Sequence, residues 1–420
     1  MATRVLPRRL ALHSVALVAI TVAANGCGVT ALPTGGPTTS PVASAAMGPP
    51  AIGIDWAKAA SVEGPANYEE SVPPTYSGTH PILRIAGQAT MSDVTSLPGA
   101  GYVAVGYVPP DWQPVAWTSP DGSTWSIHTM GRTDFTFPVA LAGGVGGTVV
   151  AVGRSRAAPA AWTTVDGVAW QQHVVPTLSD GDVPERLTSI AAGDHGYVAG
   201  GSAGPELFDR HARFWTSADG VEWKPVPDDP SAFANAEVRA IARFGDGFVA
   251  VGVVGTVQEP TGAVAWTSPD GETWARVDDP SFENGVAVAV VEAPPGGLVA
   301  VGSDVDRREA VAWTSADGRR WAKSPSEASR EHSGGYAWMT DALSVDGLVI
   351  AIGEDQGLQR GTATSWVSRD GDTWVQAKTA PVQEQGEFYA IAQGGPGAIA
   401  VGSFGAPDSY VPIVWLTPGR

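Results

Sequence analysis

The chain has 420 residues, with 25 Lys and Arg against 43 Asp and Glu, a net charge of −18, 43% hydrophobic residues and one cysteine. A single cysteine excludes a disulfide scaffold, and the acidic balance argues against nucleic-acid binding, which needs clustered cations. The hydrophobic content is that of a globular protein, which excludes a disordered chain and a polytopic membrane protein.

The first 26 residues have the pattern of an export signal. Residues 1–9 contain three arginines and no acid, and residues 10–24 form an apolar run, as in secretory signal peptides. Such a run rises about 22 Å as a helix, less than the roughly 30 Å hydrocarbon core, so we expect cleavage. Residues 24–27 (Ala-Asn-Gly-Cys) resemble the lipobox of bacterial lipoproteins. The resemblance implies lipidation of Cys27 and anchoring to the outer face of the cytoplasmic membrane; secretion with a free thiol is the alternative.

Residues 27–50 contain no charged side chain and are rich in Pro, Thr, Ser, Gly and Ala. A segment of this composition cannot bury a core, so we predict a flexible tether. The folded domain is expected over residues 51–420.

From residue 94 to residue 417 a unit of 45 to 53 residues recurs. Its marker is two tryptophans eight positions apart that flank Asp-Gly, as in Trp117 and Trp125. Upstream lie a strand of the Val-Ala-Val-Gly type and, before it, another apolar stretch, so each unit holds four short strands. Four short antiparallel strands in a repeat of this length are typical of a β-propeller blade.

The seventh unit stops after its third strand, at Trp415, while residues 54–58 (Ile-Asp-Trp-Ala-Lys) match the opening of other fourth strands. We therefore predict an all-β, seven-bladed β-propeller of four-stranded antiparallel blades. Residues 51–59 are expected to complete the last blade, and residues 60–93 to form a long link across one face.

The Ser-x-Asp-Gly-x-x-Trp hairpins, such as the one from Ser119 to Trp125, resemble the Asp-box, or BNR repeat, of sialidases and related propellers. In that family the box is a folding element remote from the catalytic centre. The resemblance therefore implies a structural role for the six hairpin aspartates, which are Asp121, Asp166, Asp219, Asp270, Asp317 and Asp370.

The same resemblance implies a sialidase-type exo-glycosidase as an alternative function. Arg84, within Leu-Arg-Ile, matches the centre of the family's first arginine motif, and Tyr389 with Glu387 resembles its nucleophile pair. Arg239 and Arg243 are available as the further arginines that would hold a substrate carboxylate. No complete catalytic set is found, so a binding module is the preferred interpretation.

Binding is expected on the face with variable loops, because the opposite turns are uniformly Gly-rich or Asp-Gly. Alignment of the first strands on their last large apolar residue places seven residues at one level of the channel: Thr95, Val139, Thr188, Arg239, Val288, Asp341 and Tyr389. Arg239, Asp341 and Tyr389 are the ligand-binding candidates, with Trp338 and Tyr336 as aromatic neighbours. The alternative is a hydrated channel wall on which Arg and Asp pair with each other.

Metal sites have little support. Three pairs of aspartates offer oxygen ligands suited to Ca²⁺, but solvated acidic turns are the preferred explanation: Asp180 with Asp182, Asp228 with Asp229, and Asp304 with Asp306. The histidines are scattered singly and give no zinc spacing. We expect a monomeric module without a resident cofactor that binds an envelope protein, peptide or glycan, and that reaches the membrane only through its lipid.

Overall fold

The structure is a computed structural model, and it describes most of the chain from residue 83 onward. The described ranges are 83–84, 88–97, 99, 101–131, 135–156, 158–179, 183–204, 210–256, 259–293, 296–306, 308–325, 336–355, 362–376, 386–394, 397–404 and 410–416. The predicted signal peptide, Cys27, the tether and residues 51–59 lie outside them. Within these ranges no helix is long and apolar enough to cross a bilayer.

The strands form seven four-stranded antiparallel sheets. Blade one consists of β2 (Thr90–Leu97), β3 (Gly101–Val108), β4 (Gln113–Ser119) and β5 (Ser126–Thr129). Blade two consists of β6 (Thr136–Gly143), β7 (Val149–Ser155), β8 (Ala158–Thr164) and β9 (Gln171–Val174). Blade three consists of β10 (Glu185–Gly193), β11 (Gly196–Ala203), β12 (His211–Ser217) and β13 (Trp223–Pro225). Blades four and five consist of β14 (Ala236–Phe244), β15 (Gly247–Gly255), β16 (Pro260–Ser268) and β17 (Ala275–Val277); β18 (Gly285–Ala293), β19 (Gly297–Asp304), β20 (Glu309–Ser315) and β21 (Ala322–Lys323).

Blades six and seven consist of β22 (Ala337–Val345), β23 (Leu348–Asp355), β24 (Thr362–Ser368) and β25 (Trp374–Gln376); β26 (Gly386–Gly394), β27 (Gly397–Phe404), β28 (Val411–Leu416) and β1 (Leu83–Arg84). Short helical segments occur at Val145–Gly147, Pro230–Phe233 and Pro280–Phe282. The predicted fold class is confirmed.

An N-terminal strand completes the last blade, as predicted, but it is not the predicted segment. β1 pairs with β28, with Leu83 opposite Val414 and Arg84 opposite Ile413. β1 occupies the outer edge of blade seven, which is the position that we predicted for residues 51–59. The chain then passes directly from β1 to the inner strand β2, which begins at Thr90 rather than at residue 94. The predicted link over residues 60–93 thus contains β1 and the beginning of β2, and its residues 60–82 lie outside the described ranges.

Tryptophans fill the gaps between blades. The described part of the chain has seven hydrophobic clusters, one between each pair of neighbouring blades. Between blades three and four, for example, Trp266 and Trp274 pack against Val198 and Phe214. The inner strands contact one another in order, and β2 contacts β26, which closes the ring. Each tryptophan pair therefore helps to hold two blades together, because it buries a large area between two sheets.

Every inner strand carries a β-bulge at the same place. The unpaired residues are Ser92, Val139, Thr188, Arg239, Val288, Thr340 and Tyr389. Opposite each bulge stands the glycine of the Val-Ala-Val-Gly strand; a Cβ on Gly252 would lie 1.9 Å from the carbonyl oxygen of Glu237. A Cβ on each of the other six glycines would lie 1.8 to 2.0 Å from the equivalent carbonyl oxygen. The glycine is therefore required because the bulge brings the backbone of the inner strand onto it.

Candidate functional site

The ring has two chemically different ends. The hairpin face is the end that carries the Asp-Gly turns between the third and fourth strands, such as residues 219–220. The mouth is the opposite end, where the inner strands begin and where the links from second to third strands and between blades lie. The bulged residues and the residues two positions before them, such as Arg239 and Glu237, are at the mouth end of their strands.

On the hairpin face the aspartates bind their own turns. Asp219 Oδ1 accepts hydrogen bonds from the N–H groups of Val221 and Glu222 at 2.8 and 2.9 Å, and Trp223 Nε1 donates to the Gly220 carbonyl at 2.9 Å. The other five hairpins repeat these bonds, with Asp–amide distances between 2.7 and 3.0 Å. The N–H groups of Glu222 and Val221 lower the pKa of Asp219. These side chains are used within the fold, which leaves the mouth as the candidate site.

One side of the mouth carries the arginine sector, which we define as Arg186, Arg210, Arg239 and Glu237. Glu237 is almost fully buried, and Arg239 Nη2 lies 3.4 Å from its Oε2 while Arg186 Nε lies 3.7 Å from its Oε1. Arg210 is also ion-paired to Oε2. The arginine side chains are 6 to 17% exposed, and burial lowers the pKa of Arg239 to about 10. Three guanidinium groups thus surround one carboxylate within the described ranges.

The other side carries the Glu-Tyr sector, which we define as Glu387, Tyr389 and Tyr410. The Tyr389 hydroxyl donates to Glu387 Oε2 at 2.9 Å and lies 2.8 Å from Ser403 Oγ. Burial raises the pKa of Tyr389 well above its ordinary value, and the charge of Glu387 adds to this effect. Burial, followed by the same carboxylate, raises the pKa of Tyr410 to about 12. Burial and the Glu387 carboxylate therefore both disfavour ionisation of the two tyrosine hydroxyls.

The predicted aromatic neighbours lie beside this sector, at the mouth of blade six. Trp338 is on β22, two residues before the bulge, and its ring centroid lies 6.2 Å from that of Tyr336. The Arg308 guanidinium lies 4.7 Å from the centroid of the Tyr336 ring. Both aromatic side chains are partly exposed, so they are accessible to a ligand.

A second aromatic group at the mouth was not predicted. Tyr107, Trp112 and Phe137, from blades one and two, have ring centroids 5.2 to 5.6 Å apart. Arg154 stacks 4.6 Å from the centroid of Phe137. The sequence signal was available, because Trp112 is one of the few tryptophans outside the repeat and stands in a variable link.

Asp341 does not lie at the predicted level, and it joins two blades. Its Oδ1 accepts from the N–H of Ala342 at 2.8 Å, and its Oδ2 accepts from the N–H of Ile391 in the next blade at 2.9 Å. Asp93 does the same for Val94 and Leu141, at 2.7 and 2.6 Å. Both carboxylates serve backbone groups next to the bulges, so Asp341 has a structural partner at each oxygen.

The error in level has a simple cause. Our alignment assumed that the last large apolar residue stands at the same distance from the bulge in every inner strand, but Leu343 and Leu97 lie one and three positions beyond the residues equivalent to Ile241. Thr340 takes the position assigned to Asp341, and Ser92 takes the position assigned to Thr95. Val139, Thr188, Arg239, Val288 and Tyr389 are at the bulge as predicted.

The residues of the sialidase alternative are only partly brought together. Glu387 and Tyr389 are hydrogen-bonded, but Arg84 is on β1, the outermost strand of its blade. Its backbone is three strand spacings from β26, about 14 Å. Arg239 is in blade four, across the ring from blade seven.

Sequence reasoning missed Arg186, Arg210 and Glu237. The available signal was the pair of polar residues at i and i+2 around a buried apolar residue. Glu237-Val238-Arg239 and Glu387-Phe388-Tyr389 both have this pattern. Residues at i and i+2 of a strand share one face, so these pairs should meet.

The calcium candidates are occupied by protein groups where they are described. Asp304 binds Lys323, and Asp228 binds Arg213. Asp180 and Asp182 lie outside the described residues. Among the residues that the structure describes, no group of three or more His, Cys, Asp or Glu side chains is placed to hold a metal.

Comparison with solved structures places the chain among β-propellers. It is similar to "YCF48 bound to D1 peptide" (TM-score 0.52, 17% identity, 80% of this chain and 94% of that chain). It is also similar to Trypanosoma rangeli sialidase in complex with sialic acid (TM-score 0.46, 13% identity, 76% of this chain) and spans 59% of that protein's length. At these identities the likeness shows the fold alone. No family model and no curated protein matches the sequence.

Proposed function

We propose that this chain is a binding module whose mouth takes a peptide or a segment of an envelope protein. The observation that carries the proposal is the contrast between the two ends of the ring. The hairpin face repeats one self-satisfied turn, while the mouth differs from blade to blade and collects arginines, acids and aromatic rings. Variable side chains on a rigid frame are where binding normally resides.

A peptide fits this mouth better than a glycan does. Aromatic surfaces such as Trp338 serve either ligand, but partly exposed charges of both signs, as at Arg239 and Glu387, match a chain with acidic and basic side chains. The YCF48 propeller of similar fold was solved with a peptide bound. Glycan binding remains an outcome that experiment can reveal.

Site-specific photo-crosslinking in intact cells tests the proposal. Benzoylphenylalanine in place of Trp338 should give a crosslinked partner, because this side chain is at the mouth. The matched control is the same group in place of Val168, which is 47% exposed on the hairpin face. A partner captured equally from Val168, or only from Val168, would contradict binding at the mouth.

The proposal includes export and a lipid anchor at Cys27, supported by the leader over residues 1–26 and by the uncharged tether over residues 27–50. Cys27→Ala should move the protein from the membrane fraction to the soluble fraction. Globomycin should cause the precursor of the unmodified protein to accumulate. A Cys27→Ala protein that stays with the membrane would rule out this anchor.

A sialidase-like glycosidase is the second candidate, and the hydrogen bond between Tyr389 and Glu387 is the observation in its favour. A nucleophilic Tyr needs an adjacent base. If the chain has this activity, it should hydrolyse a fluorogenic sialoside, and Tyr389→Phe should abolish hydrolysis while Tyr336→Phe retains it. Absence of hydrolysis by the folded protein would remove this candidate.

A further inference from the structure

We infer that the part of the peptide held at the mouth is a proline-rich segment in the polyproline II conformation, which lies along an arc of aromatic side chains. This inference rests on the proposed function and adds the composition and the backbone conformation of the ligand. The aromatic arc, as we define it, has six members, which are Tyr107, Trp112, Phe137, Tyr336, Trp338 and Tyr410.

The arc covers four consecutive blades. Blades six, seven, one and two follow one another around the ring, since β22 contacts β26, β26 contacts β2, and β2 contacts β6. Phe137 and Trp338 stand at equivalent places, two positions before the bulges of their inner strands. In blades three, four and five this place is held by Arg186, Glu237 and Val286. The aromatic side chains are therefore grouped on one part of the mouth.

The links between second and third strands hold two members of the arc in place by the same backbone bond. The carbonyl groups of Trp112 and Tyr410 accept hydrogen bonds, at 3.1 and 3.0 Å, from N–H groups at the start of the next blade. The equivalent position in blades three and five is held by Arg210 and Arg308, whose carbonyl groups accept the same bond. One fixed backbone position thus presents a ring within the arc and a guanidinium group outside it.

The rings of the arc are tilted against one another, and all six are partly exposed. The ring plane of Tyr107 is tilted by 57° to that of Trp112 and by 74° to that of Phe137. The ring planes of Tyr336 and Trp338 are 71° apart. Neighbouring rings at such angles form clefts rather than one flat platform. The pyrrolidine ring of a proline fits into a cleft of this kind, whereas a pyranose ring stacks on a flat face.

The composition of the arc indicates a ligand with exposed backbone groups. Five of its six members are tyrosine or tryptophan, so each of these rings carries an O–H or N–H donor. An aliphatic side chain would need none of these donors. A polyproline II segment makes no internal hydrogen bonds, so its carbonyl groups can accept from them. Grooves lined by aromatic side chains bind proline-rich segments in this way.

A proline-rich segment also suits a rigid frame and an acidic protein. Its conformation is fixed before binding, so the segment loses little conformational entropy on the mouth. Proline side chains carry no charge, and the net charge of −18 on the chain therefore does not repel them.

Titration of deca-L-proline into the full chain, measured by isothermal titration calorimetry, tests the inference. We expect the unmodified protein to bind this probe. We expect no binding of a decapeptide of alternating glycine and serine, which has the same number of backbone carbonyl groups but no fixed conformation.

Two variants remove rings from the two ends of the arc. Phe137→Ala in blade two and Trp338→Ala in blade six should each weaken the binding of deca-L-proline about tenfold, the effect of losing one aromatic anchor. Phe244→Ala is the matched control and should bind the probe unchanged, because Phe244 is also partly exposed on an inner strand but lies at its hairpin end. If an alanine variant does not fold, Phe137→Leu or Trp338→Leu removes the aromatic face with a smaller loss of volume and gives the same test.

The outcomes separate the inference from the function on which it rests. Failure of the folded protein to bind deca-L-proline would overturn the inference, and so would unchanged binding in either arc variant, because the ligand would then not follow the arc. The proposed function would still stand if photo-crosslinking from position 338 captures a peptide or a protein. If no such partner is captured, peptide binding itself is overturned, and binding to a glycan array that Trp338→Ala abolishes would then identify the other ligand class.

Discussion

The two ends of the ring are built from the same strands, yet they differ in what their side chains do. At the hairpin face, six blades place the same aspartate, glycine and tryptophan in the same bonds, as in Asp219, Gly220 and Trp223. At the mouth, the equivalent positions hold Arg239 in one blade, Val288 in the next and Tyr389 in another. The comparison teaches that one end maintains the frame and the other end is free to vary.

Aspartates show the same contrast. Backbone N–H groups lower the pKa of the hairpin carboxylates Asp166, Asp219 and Asp317, which lie near solvent. Burial raises the pKa of Asp341 to about 7, and burial together with the charge of Asp341 raises the pKa of Asp93 to about 8. Aspartates therefore contribute to the stability of the fold with opposite pH dependences, according to whether water reaches the carboxylate.

The largest expected effect comes from breaking the bulge that all blades share. Gly252→Ala would place a Cβ against the Glu237 carbonyl oxygen, and two backbones must separate to admit it. We expect a loss of about 3 kcal/mol in the free energy of unfolding, measured by urea denaturation. Gly143→Ala is the control, because its nearest neighbour is 3.8 Å away. Equal stability of the two variants would disprove the role of the glycine.

The second effect concerns pH. A carboxylate whose pKa is higher in the folded state contributes stability that is complete below about pH 4 and is lost as the pH rises through its folded pKa. The free energy of unfolding, measured by urea denaturation, should therefore fall between pH 5 and pH 8, by on the order of 1 to 2 kcal/mol. Asp341→Asn should reduce this fall, since it removes one of the two buried ionisations, whereas Asp346→Asn in the exposed turn of the same blade should not. An identical pH profile for Asp341→Asn would contradict the assignment.

The smallest effect is expected at a single hairpin. Asp219→Ala removes the acceptor of two backbone N–H groups, and we expect a loss of about 1 kcal/mol at neutral pH. Because the pKa of Asp219 is lowered by folding, its contribution is present above the unfolded pKa and is lost as the pH falls through the folded one. The difference between Asp219→Ala and the unmodified protein should therefore shrink in acid. Asp246→Ala, in another exposed turn, should change little at either pH.

The propeller was predictable because its signal is local and repeated. Trp266, Asp270 and Trp274 recur at fixed spacing in six units, and each unit must bury the same side chains against its neighbour. The number of blades and the completion of the last blade from the N-terminal side followed from counting strands. The identity of the completing strand did not follow, because a strand of two residues, such as Leu83–Arg84, has no periodic pattern and is defined only by its partner β28.

The site was predictable in part. Arg239, Tyr389, Trp338 and Tyr336 could be placed at the mouth because the first strand of a blade lines the axis. The register between blades could not be obtained from the apolar residues, because the last large apolar residue does not stand at the same distance from the bulge in every inner strand. The resulting one-residue error placed Asp341 in the ligand-binding group, whereas it lies at a joint between blades. The interaction partner of each charged side chain could not be predicted from the sequence either.

The amino-acid sequence thus determined the blades, the buried tryptophans and the end of the ring where diversity collects, since these depend on residue type and spacing within one unit. Only the tertiary structure decided that Arg186, Arg210 and Arg239 share Glu237 while Tyr389 and Glu387 stand across the axis. Contacts between blades join residues about 50 positions apart, and their geometry exists only once the ring has closed.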